Sequence, residues 1–141
     1  MRELDGAWNY QSFVAMPAIV DRTNPPPAPP AVKRPALIAA PWTPPSIMTF
    51  STDSSGAISG KAQLGPLEFL IKGTKTPAVE GVPEGIELTV EVPMTKSVYQ
   101  LRGYFLKDSD HIVGTVVSIS NDLGFQPIGT SGPFVLYPVK P

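Results

Sequence analysis

At 141 residues the chain is long enough to bury a substantial core, and residues 1–141 are expected to form a single domain. Its charge is nearly balanced, 11 Lys and Arg against 12 Asp and Glu with no basic block, which leaves nucleic acid no concentrated cationic face. With no cysteine and one histidine, a disulfide framework, a thiolate metal site and a cysteine nucleophile are excluded, and neither a metal nor a cofactor is expected.

The N-terminus, Met1-Arg2-Glu3-Leu4-Asp5, lacks the apolar stretch of a signal peptide, and no run approaches membrane-spanning length. The expectation is a soluble, cytoplasmic protein without membrane contact. A first strand is predicted over Ala7 to Val14, carrying Trp8, Tyr10 and Phe13 among polar neighbours. It gives way to a stretch, Pro17 to Pro45, that holds ten of the chain's 18 prolines. Proline cannot donate a ladder hydrogen bond and fixes φ near −65°, so this segment is neither a central strand nor a helix. A long irregular excursion with polyproline-like pieces is predicted, of the kind that serves as a lid over a site.

Beyond it, short β-rich segments alternate with turn residues. Strands are predicted over Ile47 to Thr52, Ala57 to Leu64, Leu67 to Thr76, Ile86 to Val92, Val98 to Lys107, His111 to Ser120 and Phe134 to Tyr137. The turns between them include Asp53-Ser54-Ser55-Gly56, Gly65-Pro66, a Pro/Gly loop 77–85, the segment 93–97, Asp108-Ser109-Asp110 and a longer loop, 121–133. No helix or internal repeat is predicted. Eight strands joined mostly by hairpins imply an all-β, antiparallel up-and-down barrel, since closure removes exposed edges. A two-sheet sandwich is the competing architecture.

Alternation assigns the strand faces. Ile86, Leu88, Val90 and Val92 share one face against Glu87, Thr89 and Glu91. By the same rule Ile58, Gly60, Ala62 and Leu64 point inward, as do Leu67, Phe69, Ile71 and Gly73, and Tyr99, Leu101, Gly103 and Phe105. The strand from His111 has apolar residues on both faces and stays unassigned. A meander places its first, third, fifth and seventh connections together, so the two longest, 17–45 and 121–133, share one end. That end is the expected mouth, with Trp8 near the plugged opposite end.

Leu4-Asp5-Gly6-Ala7-Trp8, opening the first strand of an eight-stranded meander, resembles the Gly-x-Trp start of calycin barrels, the lipocalins and avidins. Phe50 followed by Asp53-Ser54-Ser55-Gly56-Ala57-Ile58-Ser59-Gly60 resembles an avidin-type hairpin. The likeness covers about the first 60 residues by motif and the remainder by strand count. It implies that Trp8 plugs the closed end. The chain departs from both families: no arginine follows Arg102 to pack on that tryptophan, as a late arginine does in lipocalins. Only Trp8 and Trp42 are present, and Asn9 and Ser12 do not reproduce the first-strand polar cluster with which avidins hold biotin. Biotin binding is not expected. Small barrels that act as cyclases or isomerases, such as allene oxide cyclase and the pericyclases of polyketide pathways, are similar in architecture only.

An inward set rich in Phe50, Phe69, Leu88, Val90, Leu101 and Phe105, with Gly60, Ala62, Gly73 and Gly103 leaving room, has the composition of a small-molecule cavity. The same side chains could equally fill the barrel. Tyr10 and Tyr99 would offer inward hydroxyls, to orient a ligand or donate a proton, or simply to pair within the core. Trp42, near the end of the proline stretch, could cap the mouth or anchor the loop outside. His111 follows a tight turn at the end opposite the mouth and reads as a surface residue. No carboxylate pair, nucleophile elbow or phosphate loop is present: Glu87 and Glu91 face outward, Asp108 and Asp110 serve a turn, and Gly129-Thr130-Ser131-Gly132 precedes a strand. The expected function is binding of a small apolar or aromatic molecule under the 17–45 lid, with Tyr10, Trp42 and the inward set as its contacts. A cofactor-independent cyclase or isomerase using Tyr10 or Tyr99, and a filled-core interaction module with a proline arm, are the alternatives. Leu70 and Tyr104, apolar outer positions, leave a homodimer open.

Overall fold

The computed structural model of the chain describes residues 4–14, 40–41, 45–121 and 128–139. The strands are β1 (Gly6–Val14), β2 (Ala40–Pro41), β3 (Ser46–Thr52), β4 (Ala57–Leu64), β5 (Leu67–Thr76), β6 (Gly85–Val92), β7 (Ser97–Phe105), β8 (Ile112–Asn121) and β9 (Ser131–Pro138). Apart from the two-residue β2, each pairs antiparallel with its neighbour in chain order, and β1 also pairs with β9, from Trp8 opposite Pro138 to Ser12 opposite Phe134. That last ladder closes eight strands into a barrel and leaves none of them an open edge.

Most predicted strands match within one or two residues. The strand predicted to Lys107 stops at Phe105, where Leu106 N–H turns back to His111 O at 3.0 Å and Asp108 takes a left-handed φ of 56°. The last strand begins at Ser131 rather than Phe134, because Pro133 needs no N–H where it pairs with Thr115. One turn of 3₁₀ helix, Pro93–Thr95, links β6 to β7. Within the proline stretch, Ala40 and Pro41 return to the sheet opposite Val14 and Phe13. Of the lid predicted over 17–45, residues 17–39 and 42–44, Trp42 included, lie outside the described residues.

The inward faces follow the alternation. Ile86, Leu88, Val90 and Val92 are all buried, and so are Leu101, Gly103 and Phe105. On β8 the buried set is Ile112, Val116 and Ser118. A bulge there places Ser120 opposite Val98 but Ser118 opposite Tyr99, so the extra residue, Ile119, is carried on the outside, where it is exposed. On the outer face Glu87 and Arg102, opposite one another across β6 and β7, form an ion pair, while Ile47, Leu70 and Ile119 are exposed apolar positions.

The inward glycines do not leave the room expected of them. A Cβ on Gly103 would stand 2.8 Å from Phe134 Cζ and 2.9 Å from Ile112 Cγ2. On Gly73 it would meet Glu87 O at 2.0 Å and Leu88 Cδ2 at 2.8 Å. Glycine here lets strands approach where a small barrel bends, and the neighbouring side chains take the space.

Candidate functional site

The two ends of the barrel are built differently. Around the lower end, where β1 begins, the chain folds back on itself. Leu4 is fully buried and its carbonyl accepts a 2.8 Å hydrogen bond from Trp8 Nε1. The indole meets Phe105 edge-on, with ring centroids 6.5 Å apart. Asp5 Oδ1 accepts the Thr52 N–H at 2.7 Å and so fastens the N-terminal arm to the end of β3. Trp8 and Leu4 thus plug this end, as the calycin resemblance implied for Trp8. A surface hollow of about 230 Å³ on the adjacent β3–β4 hairpin is lined by Ser51, Thr52, Asp53, Ala57, Ile58 and Ser59. Its one ionisable group, Asp53, is engaged in the turn, taking Ser55 Oγ at 2.6 Å, Ser55 N at 2.8 Å and Ala57 N at 3.1 Å. These bonds, the Ser55 hydroxyl first, hold its carboxyl below the usual carboxylate range.

The connections after β1 and after β8 both leave from the upper end, and β1 and β9 are neighbours there. Inward residues of the upper half combine an apolar wall with hydroxyls. Met48, Phe69, Val90, Val92 and Leu101 are buried aliphatic or aromatic groups. Among the buried polar residues are Ser12, Ser97, Ser118 and Thr130, and no Asp, Glu, Lys, Arg or His is buried among the described residues. Ser97 Oγ and Thr95 Oγ1 share a 2.7 Å hydrogen bond near the β6–β7 turn. Thr130 is set by the backbone, its carbonyl accepting Ser118 N–H at 2.8 Å while Gly129 N–H donates to Ser118 O at 2.8 Å.

Tyr10 links the two halves. It is buried, its ring packs at a tilt on Phe134 with centroids 6.0 Å apart, and Ser46 pairs with it on β3. Burial pushes its phenol up to about 12, the adjacent Ser12 hydroxyl offsetting part of the rise and Tyr99 adding to it. Tyr10 and Tyr99 stand on β1 and β7, with β8 and β9 between them around the wall. Chemically, Tyr10 is a hydrogen-bond donor and not a base throughout the physiological range.

The predicted contacts therefore divide. Tyr10, Phe69, Val90, Tyr99 and Leu101 belong to the middle and upper barrel; Phe50 and Phe105 belong to the plugged end, and Leu88 packs over Gly73. Trp42 is outside the described residues. His111 is exposed at the lower end, stacked on Tyr137 at 5.5 Å with Nδ1 3.0 Å from Ser109 Oγ and 3.2 Å from Asp110 Oδ1. Leu70 and Tyr104 lie on β5 and β7 near opposite ends, with β6 between them, and share no patch. No helix among the described residues is long and apolar enough to cross a membrane, and no group of three or more His, Asp or Glu among them could hold a metal.

Sequence reasoning missed Ser12, Ser46 and Thr130 as parts of the site. Ser12 was legible from its two-residue step beyond Tyr10. Thr130 lies in the loop segment Gly129-Thr130-Ser131-Gly132 ahead of β9, where alternation assigns no face. Comparison with protein-family models, with curated proteins and with solved structures finds no match to this chain. The closed eight-stranded antiparallel barrel is compatible with a calycin-like fold.

Proposed function

We propose that the barrel holds a small apolar or aromatic molecule in its upper half, taken in at the end where the two longest connections depart and covered by residues 17–45. Phe69, Val90 and Leu101 would contact its body, with the hydroxyls of Tyr10 and Tyr99 orienting it. The observation that carries this reading is a buried Tyr10 and a half-buried Tyr99 packed against apolar side chains, away from the end that Trp8 plugs. Trp42, by its place in the proline stretch, is the candidate for capping the ligand.

Native mass spectrometry of the protein purified from its own host tests this directly. A small molecule of fixed mass, lost on unfolding, is the expected result. A bare polypeptide mass, together with no uptake of a neutral aromatic probe, would overturn it. A second reading, a cyclase or isomerase that folds an apolar substrate in the same space, draws support from Tyr10, whose protonated phenol can polarise a substrate oxygen. Conversion of the retained molecule to an isomer of the same mass on incubation would select it over simple binding.

A further inference from the structure

Charge is divided unevenly around the barrel wall. Within the strands, β4 carries Lys61, β5 carries Glu68, Lys72 and Lys75, β6 carries Glu87 and Glu91, and β7 carries Arg102. The other four barrel strands, β8, β9, β1 and β3, hold no Asp, Glu, Lys or Arg at any position. These four are consecutive around the wall, so one half of the cylinder is charged and the other is not. The uncharged half is most apolar over β8 and β9. Tyr104, Val113 and Val135 stand side by side on the outside of β7, β8 and β9, with Thr115 opposite Pro133 in the next outward row and Val117 in the row after it. Thr115 and Pro133 are exposed, and the other four are partly so.

An antiparallel sheet with one face in water alternates apolar inside with polar outside, and β4 to β6 obey that rule. The outward valines of β8 and β9 break it. Monomeric proteins seldom leave a contiguous apolar patch of more than a few hundred Å² in water. With strands about 4.8 Å apart and a rise of about 3.3 Å per residue, the outside of β7, β8, β9 and β1 extends over about 450 Å² for roughly seven residues of each. Two such faces pressed together bury about 900 Å², short of the roughly 1,200–2,000 Å² of stable complexes and suited to a reversible one. The lack of charge restricts the occupant further. A two-fold contact sets a patch against its own copy, so a charge near the axis meets its like. The β4 to β6 side, with Lys61 and Lys72, would repel itself in this way, whereas β8 and β9 would not. An acidic or a basic partner would find no counter-charge on them.

We infer that the outer face of β8 and β9, flanked by Tyr104 on β7, is a self-complementary surface on which a second copy of this chain docks, sheet against sheet. Val113, Val117 and Val135 form its apolar centre. Arg102, next to Thr115 on β7, marks its edge and keeps its pairing with Glu87. The contact does not depend on what the barrel holds.

Sedimentation equilibrium of the full chain from about 1 μM to about 1 mM tests this, and a monomer–dimer equilibrium with a dissociation constant of roughly 10–100 μM is expected. Thr115→Glu places a carboxylate at an exposed position opposite Arg102, where the monomer tolerates it. It should weaken association at least about tenfold, since each copy then brings a charge into the contact, and should leave the melting temperature of the dilute protein within about 2 °C. Val117→Lys should weaken association similarly; if it does not fold, Thr115→Glu carries the comparison alone. Ser59→Glu, on the charged half, should keep the dissociation constant within about twofold. A monomer over the whole concentration range would overturn the inference. So would a dimer that both variants leave intact, because the contact would then lie on another face. Co-sedimentation of a monomeric protein with neutral phosphatidylcholine vesicles, lost in Thr115→Glu, would give the face to a lipid surface and overturn the second copy.

Discussion

Raising the pH past the range of an ordinary phenol should destabilise this barrel through one side chain, Tyr10. Below pH 10 the phenol is protonated whether the chain is folded or not, and it adds no pH dependence. Between its ordinary value of 10.0 and about 12 in the folded state, the unfolded chain has released the proton while the folded one still holds it. Stability is therefore intact below pH 10 and falls as the pH climbs through 12. Two units of difference correspond to roughly 3 kcal/mol at full effect, with about 1 kcal/mol lost by pH 11 and roughly 2 kcal/mol by pH 12. Against a total of about 5–15 kcal/mol for a domain, that is a large share. Other groups titrate in this range, so the measurement is a difference: urea denaturation of the unaltered protein and of Tyr10→Phe at pH 8, 11 and 12. The gap between them should shift by roughly 2 kcal/mol in favour of the phenylalanine variant from pH 8 to pH 12. A gap that stays constant would mean that water reaches the hydroxyl, against the burial of Tyr10 on β1.

Trp8→Phe keeps an aromatic ring in the plug but strands the Leu4 carbonyl, and should cost about 2 kcal/mol in urea denaturation; Trp8→Ala should cost about 3–5 kcal/mol. Near-equal values for the two would show that the Trp8–Leu4 bond contributes nothing. Gly114→Ala would put a Cβ 1.9 Å from Arg102 O, forcing β7 from β8, and should lower stability by about 3 kcal/mol or prevent folding, whereas Ser59→Ala on the outer face should stay within about 0.5 kcal/mol. A wild-type melting temperature for Gly114→Ala would refute the close approach of the strands. Trp42→Ala should weaken retention of the bound molecule, read by native mass spectrometry, while barely changing the melting temperature; equal loss of both would make Trp42 a structural anchor.

Strand positions and faces were legible because a half-buried strand writes its environment at a period of two. The segment Ile86-Glu87-Leu88-Thr89-Val90-Glu91-Val92 can face only one way without burying glutamates. The strand over Ile112 to Asn121 could not be assigned this way. Its outer residues Val113 and Val117 are themselves partly covered, and the bulge at Ile119 shifts the alternation midway. Glycines misled for a related reason. Their own side chain is absent, but whether that absence is a void depends on neighbours brought in from other strands, as Phe134 and Ile112 are brought over Gly103.

Local chemistry alone settled that this chain makes hairpins, that proline breaks the run after the first strand, and that Trp8 belongs to a core. Those properties depend on backbone geometry and on residues near one another along the chain. Which side chains meet across the closing seam depended on the barrel. Tyr10 and Phe134 stand near opposite ends of the chain, and their rings pack only because β1 pairs with β9. Burial belongs to a whole enclosure, so only the closed barrel could decide that the Tyr10 phenol is kept from water.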